Sequence, residues 1–290
     1  MTTTTLGDLH KEYRKKAREA GIDVTYEIRE IFYVAFGILP ARLIAVGDMP
    51  VDRSKSDPLF ERFLKGEPIA YVLGTECFMH EEYKVGKGVL IPRPDTETLV
   101  IEAAEYLIKH DIEDPLIYDL CTGTGCVGIS LQNYLIRQGI HPVVVLVEKF
   151  DDALRYTNIN ISQSLEKDNI SIIQADILDE GFVFEKVPDL IVSNPPYISL
   201  SDMRELDPSV KDYEPETALY GLREDGLLFY EKISRFEVTD RGAIFVEHGY
   251  DQGEAVSRIF AGAGYKHVGT IKDLGGNPRV TFCHNSDIID

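Results

Sequence analysis

From residue 116 onward, short apolar, β-prone runs alternate with helical segments, and that alternation leaves few folds open. The runs are Leu116–Leu120, Val143–Val147, Ser171–Gln174, Leu190–Val192 and Ala243–Glu247. Helical stretches lie between them, including Gly128–Arg137, Asp151–Ser164 and Leu227–Phe236. Such repetition predicts an α/β fold: a parallel sheet with helices on both faces. The end of the chain has different grammar, with Val268–Ile271, a turn at Gly275-Gly276-Asn277-Pro278, then Arg279–Phe282. A tight turn between two β-prone runs predicts a hairpin. The last strand should therefore run antiparallel on an otherwise parallel sheet. Open sheets of this kind bind ligands outside the carboxyl ends of their strands, so the residues that close each run are the ones to read for chemistry.

The first run ends in Asp119-Leu120-Cys121-Thr122-Gly123-Thr124-Gly125. Gly123 and Gly125 let the backbone pass close to a ligand before a helix begins. The stretch resembles a dinucleotide loop but reads as a two-glycine turn, without the third glycine of that motif. The second run ends at Glu148, whose carboxylate can accept both hydroxyls of a ribose. The third ends at Asp176, beside Ile177, and the fourth in Asn194-Pro195-Pro196-Tyr197. Two successive prolines fix φ, remove two N–H groups and push their neighbours to extended geometry. The carbonyls of Asn194 and Pro195 are then free to face a pocket. A planar group carrying NH2 could lie on the Tyr197 ring and donate to the Asn194 side-chain oxygen and a backbone carbonyl. Any one of these features is an ordinary turn or strand end. Their shared edge and their order along the chain point to a nucleoside ligand without a pyrophosphate. S-adenosylmethionine fits, with adenine near Asp176 and Ile177, ribose on Glu148, the methionine tail over the Asp119–Gly125 loop, and the methyl group facing Asn194.

The first 72 residues read as short amphipathic helices. Leu6, Leu9, Tyr13, Ala17 and Ala20 mark one, and Ile28, Ile31, Phe32, Ala35 and Phe36 a second. A third starts at Asp57-Pro58 and carries Leu59, Phe60, Phe63 and Leu64. A small helical bundle is expected, acting either as an interaction module or as a structural cap. Residues 73–91 read as a β-hairpin linker, from the β-prone runs Tyr71–Leu73, Cys77–Met79, Tyr83–Val85 and Val89–Ile91. Two prolines then stiffen Ile91–Glu97, and Asp95 or Thr96 can cap a helix through Leu99, Val100, Ala103 and Leu107. Residues 92–290 make the α/β domain. The first 72 residues hold 11 Lys+Arg and 11 Asp+Glu, so the net charge of −19 falls entirely on 73–290. Such a surface repels phosphates, and no nucleic acid is expected as a direct partner. Cys77, Cys121, Cys126 and Cys283 lack zinc-type spacing, and no metal is expected. No apolar stretch reaches membrane-spanning length and Met1–Thr5 has no signal-peptide character. A cytoplasmic protein without membrane contact is the expectation.

The glycine loop followed by Asn-Pro-Pro-Tyr resembles the methyltransferases that act on planar amino or amide nitrogens. The flanking text narrows the likeness. Gly66–Tyr71, Leu90–Glu97, Glu214-Pro215-Glu216-Thr217-Ala218-Leu219, Glu247-His248-Gly249-Tyr250 and Asp273–Arg279 are similar to the peptide chain release factor glutamine methyltransferases of the HemK/PrmC type. The resemblance runs from about Gly66 to Phe282. It implies a Rossmann-like, seven-stranded class I methyltransferase domain, preceded by a helical substrate-binding domain and a hairpin. It implies methyl transfer from S-adenosylmethionine to the glutamine amide nitrogen in the Gly-Gly-Gln motif of class I release factors; separately, a monomer is expected. Asn194, Pro195, Pro196 and Tyr197 would hold the substrate and carry the transfer. Asp119, Cys121, Thr122, Gly123, Thr124, Gly125, Glu148, Asp176, Ile177 and Asn194 would hold the cofactor. Two departures stand out: Glu148 where Asp is more usual, and Cys121 where glycine is frequent. A ribosomal-protein glutamine methyltransferase, a nucleic-acid adenine methyltransferase and a non-catalytic nucleotide-binding module remain as alternatives.

Overall fold

The computed structural model describes residues 3–24 and 26–286. The chain divides into two compact units, Met1–Thr75 with Asp207–Tyr213, and Glu76–Leu206 with Glu214–Asp290.

In the first unit, β1 (Thr3–Thr5) pairs antiparallel with β2 (Pro50–Asp52). The longer helices here are α1 (Leu6–Glu19), α2 (Glu27–Phe36), α3 (Asp57–Leu64) and α4 (Ile69–Leu73). Leu6, Leu9, Tyr13 and Ala17 recur at helical spacing and are all buried, in one core with Ile28, Ile31, Phe32, Phe60 and Phe63. The Tyr13 ring stacks on Phe60 with centroids 3.8 Å apart, and its hydroxyl donates to Asp57 Oδ1 at 2.7 Å. Tyr71–Leu73, read from sequence as β-prone, is instead the end of α4. Pro68 starts this turn and Gly74, at φ 79°, closes it; those end signals outweigh the β-propensity of the side chains between them.

The second unit opens on a hairpin. Here β3 (Thr75–Phe78) pairs with β4 (Glu81–Lys84) across Met79 and His80, both left-handed at φ 50° and 66°, as a two-residue turn between twisted strands requires. Val89–Ile91, expected as a further strand, lies outside the strands; the Ile91 N–H donates to the Glu214 carboxylate at 3.0 Å.

The remaining strands, β5 (Leu116–Leu120), β6 (Val143–Glu148), β7 (Ile170–Gln174), β8 (Leu190–Ser193), β9 (Ala243–Glu247), β10 (His267–Lys272) and β11 (Pro278–His284), form one sheet in the order β10-β11-β9-β8-β5-β6-β7. The pairs from β9 through β8, β5 and β6 to β7 are parallel. β11 inserts antiparallel between β9 and β10, so the expected hairpin is present. This is the mostly parallel, Rossmann-like seven-stranded sheet that the resemblance implied.

Residue alternation sorts the sheet's side chains into two cores. Ile117, Val144, Leu146, Leu190, Val192, Ala243 and Phe245 face one, with α5 (Glu97–Lys109), α6 (Cys126–Arg137) and the hairpin's Phe78 and Tyr83. Tyr118, Leu120, Val145, Val147, Ile191, Ile244 and Val246 face the other. That second face is covered by Phe229, Tyr230 and Ile233 of α8 (Leu228–Ile233), and by Val256 and Phe260 of α9 (Gly253–Gly262); α7 (Asp151–Asn160) links β6 to β7. Among the described residues no helix is long and apolar enough to cross a membrane. Leu146 is fully buried in the first core, so Leu146→Ala should lower the unfolding free energy by about 2–5 kcal/mol, read as a shift in the urea midpoint.

Candidate active site

The order of the sheet places β5 beside β8, and their carboxyl ends open into a cavity of about 320 Å³, within the range of small-ligand sites. Asp119, Cys121, Thr122, Gly123 and Thr124 line it from β5 and its loop; Glu148 lines it from β6, Asp176 and Ile177 from beyond β7, and Asn194 and Pro196 from beyond β8. Gly125, Pro195 and Tyr197 are not in the lining. Gly125 sits behind it, at the start of α6, with φ 83°. Tyr197 is half-buried; its hydroxyl donates to Glu247 Oε1 at 3.4 Å and its carbonyl accepts from Gln252 Nε2 at 3.0 Å.

The glycine loop is built on a buried carboxylate. Asp119 Oδ2 accepts the Thr122 hydroxyl, and the N–H of Gly128 at 2.9 Å. Burial pushes the Asp119 pKa up to about 7, although the Thr122 and Gly128 hydrogen bonds pull it down. The dinucleotide-type spacing is complete after all: Gly123, Gly125 and Gly128 make Gly-x-Gly-x-x-Gly. Taking Gly128 as the first residue of the helical stretch Gly128–Arg137 hid the third member, and the six-residue spacing was the signal that identifies it. A Cβ on Gly128 would lie 2.5 Å from Leu146 Cδ2 and 3.1 Å from Asp119 Cβ, so glycine lets α6 sit close on the sheet. Two side chains of α7 brace the loop from behind. Thr157 Oγ1 donates to the Gly123 carbonyl at 2.7 Å, and Asn160 Nδ2 donates to the Thr124 and Lys84 carbonyls, both at 3.0 Å.

Glu148 is held by three backbone donors, Gly123 N–H at 2.9 Å, Lys149 N–H at 2.8 Å and Phe150 N–H at 3.0 Å. A carboxylate has about four lone-pair sites, so it keeps acceptor capacity toward the cavity. Asp176 pairs with Lys149 at 2.8 Å and accepts the Leu178 N–H at 2.9 Å. Burial alone would raise its pKa, but these partners lower it below the ordinary carboxylate value. Cys121 adopts φ 58°, a left-handed conformation that costs an L-residue about 1 kcal/mol or more and suits glycine; this accounts for glycine being frequent there in the resembling family. Burial and the charges of Glu148, Asp119 and Asp176 raise its thiol pKa, which disfavours the thiolate form.

Asn194 lies across the cavity. Its Nδ2 donates to Thr96 Oγ1 at 3.3 Å. Among the described residues, no donor is bonded to Asn194 Oδ1 or to the Pro195 carbonyl. Sequence reading missed several lining residues: Leu90, Pro92, Arg93, Thr96, Lys149, Phe150, Pro215, Thr217 and Leu222. Arg93 and Ile91 are tied to Glu214 by an ion pair and a backbone hydrogen bond, which joins the 88–96 and 214–222 segments along one wall. The motifs containing these residues were visible in the sequence; their meeting was not. Because the Gly128 contacts include backbone-anchored Asp119 Cβ, Gly128→Ala should cost about 1–3 kcal/mol of stability by overpacking, measurable by chemical denaturation.

No family model matches the chain. Relatives do. The chain is 40% identical over 216 residues to the release factor glutamine methyltransferase of Clostridium botulinum, covering 73% of this chain and 74% of that protein. It is 35% identical over 231 residues to that of Thermodesulfovibrio yellowstonii, with 79% and 80% covered, and 34% identical over 260 residues to that of Haemophilus influenzae, with 86% and 87% covered. A methyltransferase of known structure from Pyrococcus furiosus aligns with a TM-score of 0.47 at 16% identity, over 78% of this chain and 97% of that one. With identities of this size over most of both chains, this protein belongs to the release factor glutamine methyltransferase family.

Proposed function

We propose that the chain transfers a methyl group from S-adenosylmethionine to the side-chain amide nitrogen of the glutamine in the Gly-Gly-Gln motif of class I peptide chain release factors. The observation that carries this reading is Asn194, whose Nδ2 is engaged by Thr96 while Oδ1 has no donor. An acceptor poised at the β5–β8 crevice, beside a carbonyl that is also without a donor, suits a group with two N–H bonds.

The cavity suits the cofactor by its donor set. Glu148 would accept the ribose hydroxyls, Asp176 and Ile177 would flank the adenine, and Asp119, Cys121, Thr122, Gly123, Thr124 and Gly125 would shape the floor under the methionine tail. When bound, S-adenosylmethionine supplies an electrophilic methyl group. The protein's task is to make a poor nucleophile attack it. An amide nitrogen shares its lone pair with the carbonyl. Asn194 Oδ1 and the Pro195 carbonyl, accepting its two hydrogens, favour lone-pair density on nitrogen and stabilise the positive charge that develops there. Pro196 and Tyr197 stiffen the corner that holds both acceptors in place, and the orientation so fixed contributes to the rate. The methylated amide nitrogen is acidic enough to lose its proton to water. His248 accordingly stands apart: it is buried, outside the cavity lining, with Nδ1 2.8 Å from the Gly249 carbonyl.

The helical unit, residues 1–72 in the sequence reading, would dock the protein substrate, with the hairpin as its link to the catalytic unit. It exposes Tyr26, Tyr33, Val34, Leu39 and Ile44, apolar surface that a protein partner can cover. The acidic catalytic portion speaks for a protein acceptor over nucleic acid. The cytoplasm, where translation terminates, is the compartment this reading implies.

Incubation with labelled S-adenosylmethionine and a release factor, a ribosomal protein or duplex DNA should label the release factor alone; label on either of the others overturns the assignment. Asn194→Ala should cut turnover by about two to three orders of magnitude, with the cofactor Kd changing far less, as read by rapid-quench kinetics and calorimetry. Replacing Leu39 and Ile44 by Asp should raise KM for the release factor about tenfold through lost apolar burial and leave the cofactor Kd unmoved.

A further inference from the structure

Gln252 stands directly before Gly253, at the N-terminal end of α9, where Ser, Thr, Asp or Asn is the usual helix cap. Its side chain makes no capping bond to its own helix. The amide reaches three backbone groups elsewhere. Nε2 donates to the Tyr197 carbonyl at 3.0 Å and to the Asp225 carbonyl at 3.2 Å, and Oε1 accepts the Gly249 N–H at 2.9 Å. We propose that Gln252 is a positioning residue for methyl transfer: it pins the Tyr197 carbonyl, the far end of the Asn194–Tyr197 corner, and so fixes the direction of the acceptors that the corner presents. This inference rests on the methyl-transfer reading above and adds a residue that acts through the corner without touching the substrate.

The direction of each bond follows from partners whose roles cannot change. A carbonyl only accepts and a backbone N–H only donates. Two carbonyls demand the NH2 end of the amide and the Gly249 N–H demands its oxygen, so one orientation satisfies all three. Glutamine meets this demand with two donors and an acceptor on one planar group.

The corner is held at both ends. At its start, Ser193 belongs to β8, opposite Leu120 of β5 and Val246 of β9, and its hydroxyl donates to the Leu120 carbonyl at 2.7 Å. At its end stands the Tyr197 carbonyl on Gln252. Between the two anchors few torsions are free. The rings fix φ at Pro195 and Pro196, and a following proline keeps Asn194 and Pro195 extended. The Asn194 side chain and the Pro195 carbonyl ride on this stiff arc, so where they point depends on where its ends are held.

The space around the far end is filled. Gly226 has φ 70°, and a Cβ there would lie 2.1 Å from the Tyr197 oxygen and 3.0 Å from Gln252 Nε2. Ile198, next after the corner, donates its N–H to the Leu219 carbonyl at 2.9 Å and accepts the Gly221 N–H at 3.0 Å. That segment runs on through Leu222, which lines the cavity, to Asp225. Gln252 bonds to both Tyr197 and Asp225, and so ties the corner and this part of the wall to the turn between β9 and α9. Gln252 itself is not in the cavity lining; its effect on transfer passes through the backbone it holds.

Gln252→Glu separates the two halves of the amide's work. It keeps the side-chain length and an oxygen for the Gly249 N–H, but sets a carboxylate oxygen against two carbonyls. Gln252→Met keeps the length and removes both polar ends. Both are compared with the parent in steady-state methylation of a release factor by the full-length enzyme, with kcat normalised to the cofactor-binding fraction found by calorimetry. Each should lower kcat at least about tenfold, because a small misplacement of the reacting groups is costly. KM for the release factor and the cofactor Kd should stay within about threefold, the pattern of a loss confined to the transition state. A residue that served only to close the Gly249 turn would leave Gln252→Glu at parental kcat, and that result overturns the inference. A raised KM at parental kcat, or a cofactor Kd weakened as much as kcat falls, overturns it too. Should Gln252→Glu not fold, parental kcat in Gln252→Met overturns it equally. Parental enzyme that places no methyl on the glutamine amide removes the methyl-transfer reading and this inference together. Parental transfer alongside an unimpaired Gln252→Met removes this inference alone.

Discussion

β5 and β8 lie side by side and parallel, yet the helix that follows β5 packs on one face of the sheet and α8, on the way from β8 to β9, packs on the other. The two connections part at the carboxyl edge, and the cavity opens between the strand ends, walled in part by Pro215, Thr217 and Leu222 of the β8–β9 connection. A crevice there is a consequence of topology, and Asp119, Cys121, Thr122, Gly123, Thr124, Glu148, Asp176, Ile177, Asn194 and Pro196 line it. Asp119 and the glycine loop stand on one side and Asn194 on the other; Glu148 and Asp176 extend the row along β6 and β7.

Holding that crevice open requires polar chemistry inside an apolar structure. The Asp119 carboxylate collects the Thr122 hydroxyl and the first-turn N–H of Gly128, so one buried acid fixes both the loop and the start of α6. Asn160 does the complementary work from α7. Its side chain exchanges hydrogen bonds with Lys84 in both directions and also holds the Thr124 carbonyl. The hairpin strand β4 is thereby bonded to the residue that braces the glycine loop. Displacing the hairpin would leave buried donors and acceptors unpaired, at about 1–3 kcal/mol each. The segment that reads as a linker is thus part of what keeps the cavity floor in shape.

Residues 73–290 carry the whole net charge of −19, and no imidazole is among the described residues that line the cavity. Burial and acidic neighbours push the Cys121 thiol pKa up, and His248 is turned to a backbone carbonyl. On the proposed reading an acceptor substrate would meet oxygen: an amide oxygen and a backbone carbonyl at a corner made stiff by Pro195 and Pro196. That inventory suits a reaction in which the protein orients and polarises a neutral nitrogen and does not need to deprotonate it first.

The strands Leu116–Leu120 and Ala243–Glu247 were legible to the residue, and the antiparallel end of the sheet from its Gly-Gly-Asn-Pro turn. Residues Asp119, Glu148, Asp176 and Asn194 were legible as strand ends. These signals are local: side-chain alternation, helical spacing and turn chemistry act over a few residues. Tyr71–Leu73 misled because helix-end signals outweighed side-chain propensity, and Gly128 because its role depends on Leu146 lying across from it. Tyr197 faces Glu247 instead of lining the cavity, and Asn194 meets Thr96 across 98 positions of chain. The sequence by itself determined the α/β order, the glycine loop and the kind of corner that presents Asn194. Only the tertiary structure decided what meets that corner, because its partners are brought by folding from elsewhere in the chain.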